Sequence, residues 1–204
     1  MQQIESLQEV KRFILELEQQ IETLENNIED IQRHVSDLDK IRSVVIGIAE
    51  DEQQRVLSLC EQICSQGLSD VFETPTIVSF EQSITANNPS LELVVTQEGK
   101  ARDPLTAYGG GLVEVLSLLL RVCFVHIMRS QYMPVLILDE PLGRLSKLRL
   151  PLVGEMLNRL SEELSIQIIM VTHHSDMLNF ATVSYEAIAS EKGTVFIPGG
   201  DINE

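Results

Sequence analysis

Basic residues are scarce in this sequence. It contains 15 lysines and arginines against 31 acidic residues, and its formal net charge is −16 at pH 7. No run of basic residues marks a tail or an arm. A protein that holds nucleic acid mainly by neutralising phosphates needs an excess of positive charge. The composition therefore argues against nucleic-acid binding by charge alone.

Cysteine is also scarce, and its number is odd. Cys60, Cys64 and Cys123 lack the spacing of a disulfide framework, which predicts reduced thiols in an intracellular protein. Cys60 and Cys64 stand one helical turn apart and could share a metal ion, but no histidine or further cysteine lies close by in the sequence. We therefore interpret both as buried helix cysteines.

No apolar run is both long and free of charge. The longest, from Leu112 to Met128, is interrupted by Glu114, Arg121 and His126. The amino terminus is polar and acidic, unlike a signal peptide. These features predict a buried helix at 112–128, no membrane association and a cytoplasmic location.

Glycine and proline are absent before Gly47, and a heptad repeat occupies that stretch. The apolar residues alternate at spacings of three and four: Leu7, Val10, Ile14, Leu17, Ile21, Leu24, Ile28, Ile31, Val35 and Leu38. β-branched residues dominate one set of these seam positions, and leucine is frequent in the other. The pattern predicts a coiled-coil helix over residues 1–66 that loses its register after Leu38 and ends near Gly67.

A single amphipathic helix packed on a globular core is the alternative interpretation of the repeat. A helix of about 40 residues rises roughly 60 Å, which exceeds the width of a domain of this size. Such a helix needs another helix beside it, and the sequence contains no second heptad segment.

Residues 67–204 have the pattern of an α/β domain. Strand-like segments at 76–80 and 91–96 predict a hairpin or meander, and Asp103 with Pro104 predicts a loop. The later predicted elements are a helix at 112–128, a strand at 135–138, a helix at 150–164, a strand at 166–171 and a last strand near 195–197. Two apolar strands joined through a helix, each followed by polar residues, predict a parallel unit.

The stretch from Pro134 to Leu145 carries the strongest chemical signal. Four apolar residues lead straight into Asp139 and Glu140, and Pro141 then ends the strand. So dense an apolar run predicts a strand buried on both faces. Its carboxyl end is where open α/β sheets place ligands. The pair suits one carboxylate acting on Mg²⁺ and its neighbour polarising a water, which resembles the Walker B pattern of an ATPase.

Two further features are suggestive only in combination with this strand. Gly109, Gly110 and Gly111 open a helix, where backbone N–H groups can meet an anion, although a simple flexible turn is the default interpretation. His173 follows the other apolar strand and could face the same cavity as Glu140. A structural histidine is the alternative, and His174 beside it could equally be the functional one.

Taken in order, these motifs resemble the carboxyl-terminal half of an ABC-type ATPase of the SMC, SbcC and RecN class. Tyr108 to Leu112 stand for the signature motif and Leu136 to Glu140 for Walker B. Pro141 to Ser146 stand for the D-loop and His173 for the switch histidine. The class also inserts a long antiparallel coiled-coil arm before this lobe. The resemblance implies an α/β fold, with a mixed or parallel sheet and flanking helices, preceded by a long coiled-coil helix.

The resemblance also implies a role for each matching residue, with ATP and Mg²⁺ as cofactors. Asp139 would help to hold Mg²⁺, Glu140 would orient and polarise the attacking water, and His173 would contact the γ-phosphate. The signature residues (Tyr108, Gly109, Gly110 and Gly111) and Ser146 of the D-loop would contact nucleotide bound by the opposite protomer of an ATP-sandwich homodimer. The sequence departs from the pattern in lacking the signature serine and in ending the D-loop with Ser146 in place of Asp.

A phosphate-binding loop is missing. No Gly-x-x-x-x-Gly-Lys-Ser/Thr occurs in the sequence, so no lysine or backbone nest cradles the β- and γ-phosphates. In the class that loop lies in an amino-terminal lobe beyond the coiled coil. The resemblance therefore implies an ATPase that is active only when completed by such a lobe or coiled-coil strand. It would act on DNA through the assembly, in repair, recombination or defence, with a nuclease subunit as a further partner.

Two other functions compete with this interpretation. The chain could be a non-catalytic coiled-coil protein that docks on a related ATPase as a regulator. It could also be a metal-dependent nuclease built on Asp139, Glu140 and His173, with His174 and Asp176 as further ligands. One local basic cluster, formed by Arg144, Lys147, Arg149 and Arg159, could contact DNA, a dimer partner or solvent.

Overall fold

A computed structural model of the chain describes residues 2–85, 88–190 and 193–199. The chain divides into two compact units, Met1–Gln54 and Arg55–Glu204. The predicted α/β class with a long amino-terminal helix is confirmed. The helices are α1 (Gln2–Phe72), α2 (Pro104–Ala107), α3 (Gly110–Ile127) and α4 (Leu150–Leu164). The strands are β1 (Thr76–Thr85), β2 (Asn88–Gln97), β3 (Lys100–Arg102), β4 (Val135–Asp139), β5 (Gln167–Val171), β6 (Tyr185–Ser190) and β7 (Gly193–Pro198).

The heptad seam lies in the part of α1 that belongs to the first unit, and its side chains face solvent. From Ile14 to Leu38 the described seam residues are 41% to 64% exposed. Every described residue of this unit belongs to α1. The helix is therefore amphipathic with its apolar face uncovered, which is costly for an isolated chain in water.

The predicted end of α1 near Gly67 is wrong, because the helix continues to Phe72. Gly67 lies where α3 packs closely on α1: a Cβ placed there would stand 2.6 Å from Leu119 Cδ2. The helix instead stops at Glu73, whose φ of 51° is left-handed, and Pro75 follows. Gly67 therefore allows α3 to pack closely on α1, and the turn after Phe72 ends α1.

The carboxyl-terminal part of α1 completes the edge of the first sheet. Three α1 side chains, one helical turn apart, accept hydrogen bonds from alternate backbone N–H groups of β1. The pairs are Ser69 Oγ with Thr76 N at 2.9 Å, Ser65 Oγ with Val78 N at 2.8 Å, and Glu61 Oε1 with Phe80 N at 2.8 Å. One helical turn rises about 5.4 Å and two strand residues span about 6.6 Å, so the two periods nearly match. An otherwise unpaired strand edge is thereby satisfied.

Strands β1, β2 and β3 form an antiparallel sheet in that order. The predicted hairpin is confirmed, but its strands are longer than expected and a third strand follows. Asn87, expected between the strands, lies outside the described residues, while Asn88 and Pro89 belong to β2. The expected loop at Asp103 and Pro104 is partly helical, because the Asp103 carboxylate accepts a hydrogen bond from Leu105 N at 2.9 Å and caps α2.

Strands β4 and β5 run parallel, as the sequence predicts, and Asp139 is in register with Val171. The prediction that β4 is buried on both faces is wrong. Leu136 and Leu138 are buried, but Ile137 between them is 70% exposed. Among the described strands β4 pairs with β5 alone, and its second face has no covering layer there.

Helix α3 supplies the centre of the core. Its buried residues are Leu112, Val115, Leu116, Leu118, Leu119, Val122 and Cys123. Burial is one-sided, since Phe124 is 64% exposed, whereas the sequence predicts a buried helix. By length and composition alone Gly110–Ser130 could cross a membrane, a test that core helices also pass. The last predicted strand is present as β7, paired with β6, which the sequence analysis missed; both are exposed throughout.

Candidate functional site

The two adjacent carboxylates lie at the carboxyl end of β4, as predicted. Glu140 N donates a hydrogen bond to Val171 O at 2.9 Å, which extends the parallel pairing by one residue. Glu140 itself has a left-handed φ of 43°. A non-glycine residue in this region is strained, and such strain is frequent at functional sites. The turn directs Glu140 away from the strand path.

Glu140 contacts His173, which follows the neighbouring strand. Glu140 Oε2 and His173 Nδ1 are 2.6 Å apart, a distance typical of a short, strong hydrogen bond. The side chains are 41% and 68% exposed, so solvent reaches both. The sequence predicts that these residues share one edge of the sheet, and the geometry brings them into direct contact.

His174 occupies a different position from His173. Its ring lies 4.1 Å from the His173 ring, centroid to centroid, and its Nε2 is buried without a hydrogen-bond partner among the described residues. Its backbone N–H donates to Thr172 Oγ1 at 3.1 Å. Of the two histidines, His173 is the one in contact with the acidic pair.

Asp139 and Glu140 line a cavity of about 340 Å³ that we call the acid cavity. Its other lining residues are Gly110, Val113, Glu114, Ser117, Leu118, Arg121, Pro141 and Arg144. Most of them come from α3, which runs past the end of β4. The carboxylates therefore face a groove that also contains two arginines, Arg121 and Arg144.

The predicted nucleotide-contacting residues line a separate cavity of about 480 Å³, the glycine cavity. Tyr108, Gly109, Gly110, Gly111 and Ser146 all border it. Its other walls are Phe72, Thr74, Gln97, Leu112, Arg144, Leu145 and Arg149. The two cavities share Gly110 and Arg144. The candidate site is thus two adjacent cavities, with the acids in one and the signature-like residues in the other.

The three glycines have different surroundings. A Cβ on Gly110 would lie 2.7 Å from Arg144 Cδ, and one on Gly111 would lie 3.2 Å from Leu145 Cδ1. Gly109, the N-cap of α3, has nothing within 4 Å of such an atom. Gly110 and Gly111 therefore leave room for the loop at Arg144 and Leu145, whereas a side chain at Gly109 would meet no such neighbour. That all three glycines serve a ligand stays a prediction.

Tyr108 and Ser146 differ in how free their hydroxyls are. Tyr108 donates a hydrogen bond to Val95 O at 3.1 Å, which anchors the residue to β2. Ser146 precedes a short 3₁₀ turn, and its hydroxyl caps no helix; Arg149 Nη1 donates a hydrogen bond to Ser146 Oγ at 3.5 Å. Ser146 is exposed and lines the glycine cavity.

Glu114 is a site residue that the sequence analysis missed. Its Oε2 accepts a hydrogen bond from Arg144 N at 2.8 Å, which ties α3 to the loop after Glu140. In the sequence, Glu114 stands out only as an interruption of an apolar run. Its spacing of four from Gly110 places it on the same helix face as the glycine, which is the signal that could have found it.

The predicted basic cluster divides on folding. Arg159 on α4 forms an ion pair with Asp70 on α1, and the Arg149 guanidinium lies 4.9 Å from the centroid of the Phe72 ring. Both therefore fasten α1 to the lobe. Arg144 lines both cavities, and Lys147 is exposed.

The donor set at the acids suits Mg²⁺ better than a transition metal. The described residues contain no group of three His, Cys, Asp or Glu side chains placed to hold a metal ion. A nuclease centre built on Asp139, Glu140 and His173 with His174 or Asp176 is therefore unsupported. Mg²⁺ needs only one or two carboxylates when phosphate oxygens and water complete its shell, and Asp139 at the acid cavity meets that need.

Comparison with known proteins shows the fold of the chain. No protein-family model matches the sequence, and no curated protein matches it. The structure matches solved SMC head domains, so the chain has the fold of an SMC head region with an attached coiled-coil helix, as the resemblance predicts.

Three solved structures illustrate the match. An SMC head domain with coiled coil and joint derived from Pyrococcus yayanosii has a TM-score of 0.64 and 19% identity, covering 96% of this chain and 36% of that one. An SMC ATPase structure concerned with ATP-driven dimerization and DNA-stimulated activation has a TM-score of 0.56 and 16% identity, covering 74% and 89%. A head domain from Pyrococcus furiosus, bound to the C-terminal domain of ScpA, has a TM-score of 0.54 and 15% identity, covering 77% and 40%.

The chain thus spans well under half of the length of two of these proteins. At identities of 15% to 19% the match shows the fold alone. Activity must therefore be argued from the site itself.

Proposed function

We propose that this chain is the carboxyl-terminal part of an SMC-like ATPase, and that ATP hydrolysis requires a lobe carrying a phosphate-binding loop. The observation that carries the proposal is the 2.6 Å contact between Glu140 and His173 at the ends of two parallel strands, with Asp139 directly before Glu140. In this proposal Asp139 holds Mg²⁺, Glu140 polarises the attacking water, and His173 orients Glu140 and meets the γ-phosphate.

The division into two cavities supports this assignment. The acids and the signature-like residues open into different spaces, which suits two nucleotides bound on two protomers better than one nucleotide held by a single chain. The glycine cavity would receive the phosphates of the partner's nucleotide at Gly109, Ser146 and Arg144. A homodimer through bound ATP follows from this proposal, as does DNA handling by the assembled protein.

The uncovered face of β4 and β5 supports the need for a second lobe. Ile137, Ile169 and Val171 share that face and are 70%, 45% and 58% exposed. Apolar strand residues of this kind are normally covered in a parallel sheet. A lobe that supplies the phosphate loop would also supply strands and a covering layer here.

The test is ATP turnover by the chain, alone and co-expressed with an amino-terminal ATPase lobe that carries a phosphate loop. The chain alone should not hydrolyse ATP, and the pair should. Glu140→Gln in the pair should abolish turnover and leave an ATP-dependent dimer, whereas Glu155→Gln, an exposed position on α4, should retain turnover. Hydrolysis by the purified chain alone, or by the Glu140→Gln pair, would contradict the proposal.

A further inference from the structure

The charges beside the heptad seam of α1 are distributed unevenly. One row flanking the seam consists of Lys11, Glu18, Glu25, Gln32 and Asp39, which we call the acidic flank. The row on the other side, the neutral flank, consists of Phe13, Gln20, Asn27 and His34. In a coiled coil these two rows border the partner helix and decide which partner is accepted. A row with three acids and one base favours a partner helix that has basic residues beside its own seam.

Three acids of the outer face, Glu29, Asp30 and Asp37, have ion-pair partners within the helix. Arg33 pairs with Glu29 at 2.6 Å and with Asp30 at 3.2 Å, and Lys40 pairs with Asp37 at 2.9 Å. These residues lie away from the seam. The described contacts give Glu18, Glu25 and Asp39 no ion pair. Part of the outer face is thus neutralised within the helix, whereas the acids of the acidic flank have no described ion pair.

A second copy of α1 would not neutralise this flank. In a parallel pair each flank faces the opposite flank of its partner, so the acids would meet neutral residues, and only His34 against Asp39 could pair when protonated. In an antiparallel pair like flanks face each other, so Glu18 and Glu25 would meet acids. Like charges across such an interface are unfavourable. Self-pairing therefore gains little in one orientation and is opposed in the other.

We propose that the seam of α1 is covered by a helix from a different polypeptide segment, whose own seam is flanked by lysine or arginine facing Glu18, Glu25 and Asp39. The apolar seam supplies the affinity, and the acidic flank selects the basic partner over a second copy of α1 and over acidic helices. The inference describes the coiled-coil strand that the proposed function requires. It is argued from the charges of α1 and involves no nucleotide.

The test uses the full chain and two designed helical peptides of about 30 residues with the same isoleucine and leucine seam. One peptide has lysine at all flanking positions and the other has glutamate. In fluorescence anisotropy at low salt, the chain should bind the lysine peptide at least about tenfold more tightly, since several favourable pairs replace repulsive ones. The difference should shrink at high salt.

Two double variants separate the flank from the overall charge of the chain. Glu18→Lys with Glu25→Lys should equalise or invert the preference between the peptides. Glu16→Lys with Glu22→Lys makes the same change in net charge at positions away from the seam. This variant should keep the preference for the lysine peptide. Circular dichroism verifies that both variants remain helical. Equal binding of the two peptides by the unmodified chain, the same response of both variants, or a homodimer stable enough to exclude both peptides would overturn the inference.

Failure of this test and failure of the proposed function are distinguishable. A lost peptide preference with intact ATP turnover in the co-expressed pair would refute the charge inference alone. An intact preference without turnover would refute the ATPase proposal alone.

Discussion

Glu114 on α3 accepts a hydrogen bond from the backbone N–H of Arg144 at 2.8 Å, and this contact joins the two cavities of the candidate site. Leu142 and Leu145 are buried on either side of Arg144, so the loop is held by apolar anchors and by one carboxylate. The close approach of Arg144 and Leu145 to Gly110 and Gly111 completes the junction.

Glu114→Ala should loosen the loop at 141–146. The Arg144 amide loses its acceptor, and its hydrogen exchange should become faster by about tenfold, equivalent to about 1.4 kcal/mol of local stability. Glu114→Gln keeps an oxygen acceptor and should exchange close to the unmodified rate. Exchange measured by mass spectrometry on this segment checks the prediction, with Glu155→Ala as an exposed control on α4. Unchanged exchange in Glu114→Ala would show that the buried leucines hold the loop without the carboxylate.

Gly67→Ala should destabilise the lobe. The added methyl would lie 2.6 Å from Leu119 Cδ2 and 3.0 Å from Met156 Sδ, in a core where both side chains are buried. Overpacking of about 1–3 kcal/mol outweighs a helix-propensity gain of up to about 1 kcal/mol. Urea unfolding measures the change. Gly143→Ala, where nothing lies within 4 Å of the new methyl, should change the free energy of unfolding by less than about 0.5 kcal/mol.

Removing the serine acceptors at the edge of β1 should expose its amides. Ser65→Ala and Ser69→Ala each leave a strand N–H without an acceptor and should cost about 1–3 kcal/mol. Hydrogen exchange by NMR should accelerate first at Val78 in the former and at Thr76 in the latter. The amides of Ile77 and Ser79, which alternate onto the β2 side, serve as internal controls. Acceleration of all four amides together would indicate general loss of the sheet instead.

The three cysteines should be unreactive in the folded chain. Cys60, Cys64 and Cys123 are buried and free. Burial, with a smaller contribution from Cys123, raises the pKa of Cys60 to about 12. A hydrogen bond with Cys64 and burial raise the pKa of Cys123. Because thiolates are the reactive form, a thiol reagent at pH 8 should label none of them until denaturant is added. Labelling of the native protein would contradict this burial.

Acid should destabilise the lobe through His126. Burial, with a smaller effect of Arg129, lowers the pKa of this histidine, and its Nδ1 has no hydrogen-bond partner among the described residues. The unfolded state therefore binds the proton more readily. The contribution of His126 is complete above the unfolded pKa of about 6.5 and is lost as pH falls through the folded value. His126→Gln should flatten this slope in urea unfolding, and His34→Gln on the exposed helix should not.

Local sequence patterns were sufficient for many of the helices and strands and for the acidic pair. The α4 boundaries, the parallel pairing of β4 with β5 and the helix beginning at the glycine triplet all follow from periodicity and from glycine and proline placement. The carboxylates at the end of β4 follow from an apolar run that stops at proline. Such signals extend over a few residues and need no knowledge of distant contacts.

Other predictions failed where the role of a residue depends on a neighbour that is distant in the sequence. Gly67 suggested a helix end, but the absence of a side chain there leaves room for Leu119 of α3. Arg159 suggested an exposed basic cluster, but it pairs with Asp70. Burial of β4 on both faces assumed a covering layer that the described residues do not provide.

By itself, the sequence determined the heptad seam of α1, the charges beside it, and the order of glycine triplet, acidic pair and histidine, because each is written in neighbouring positions. Only the tertiary structure decided that His173 meets Glu140, that Glu114 holds Arg144, and that the signature-like residues open into a different cavity from the acids. These contacts join residues about thirty positions apart, and packing of helices against strands is what brings them within hydrogen-bonding distance.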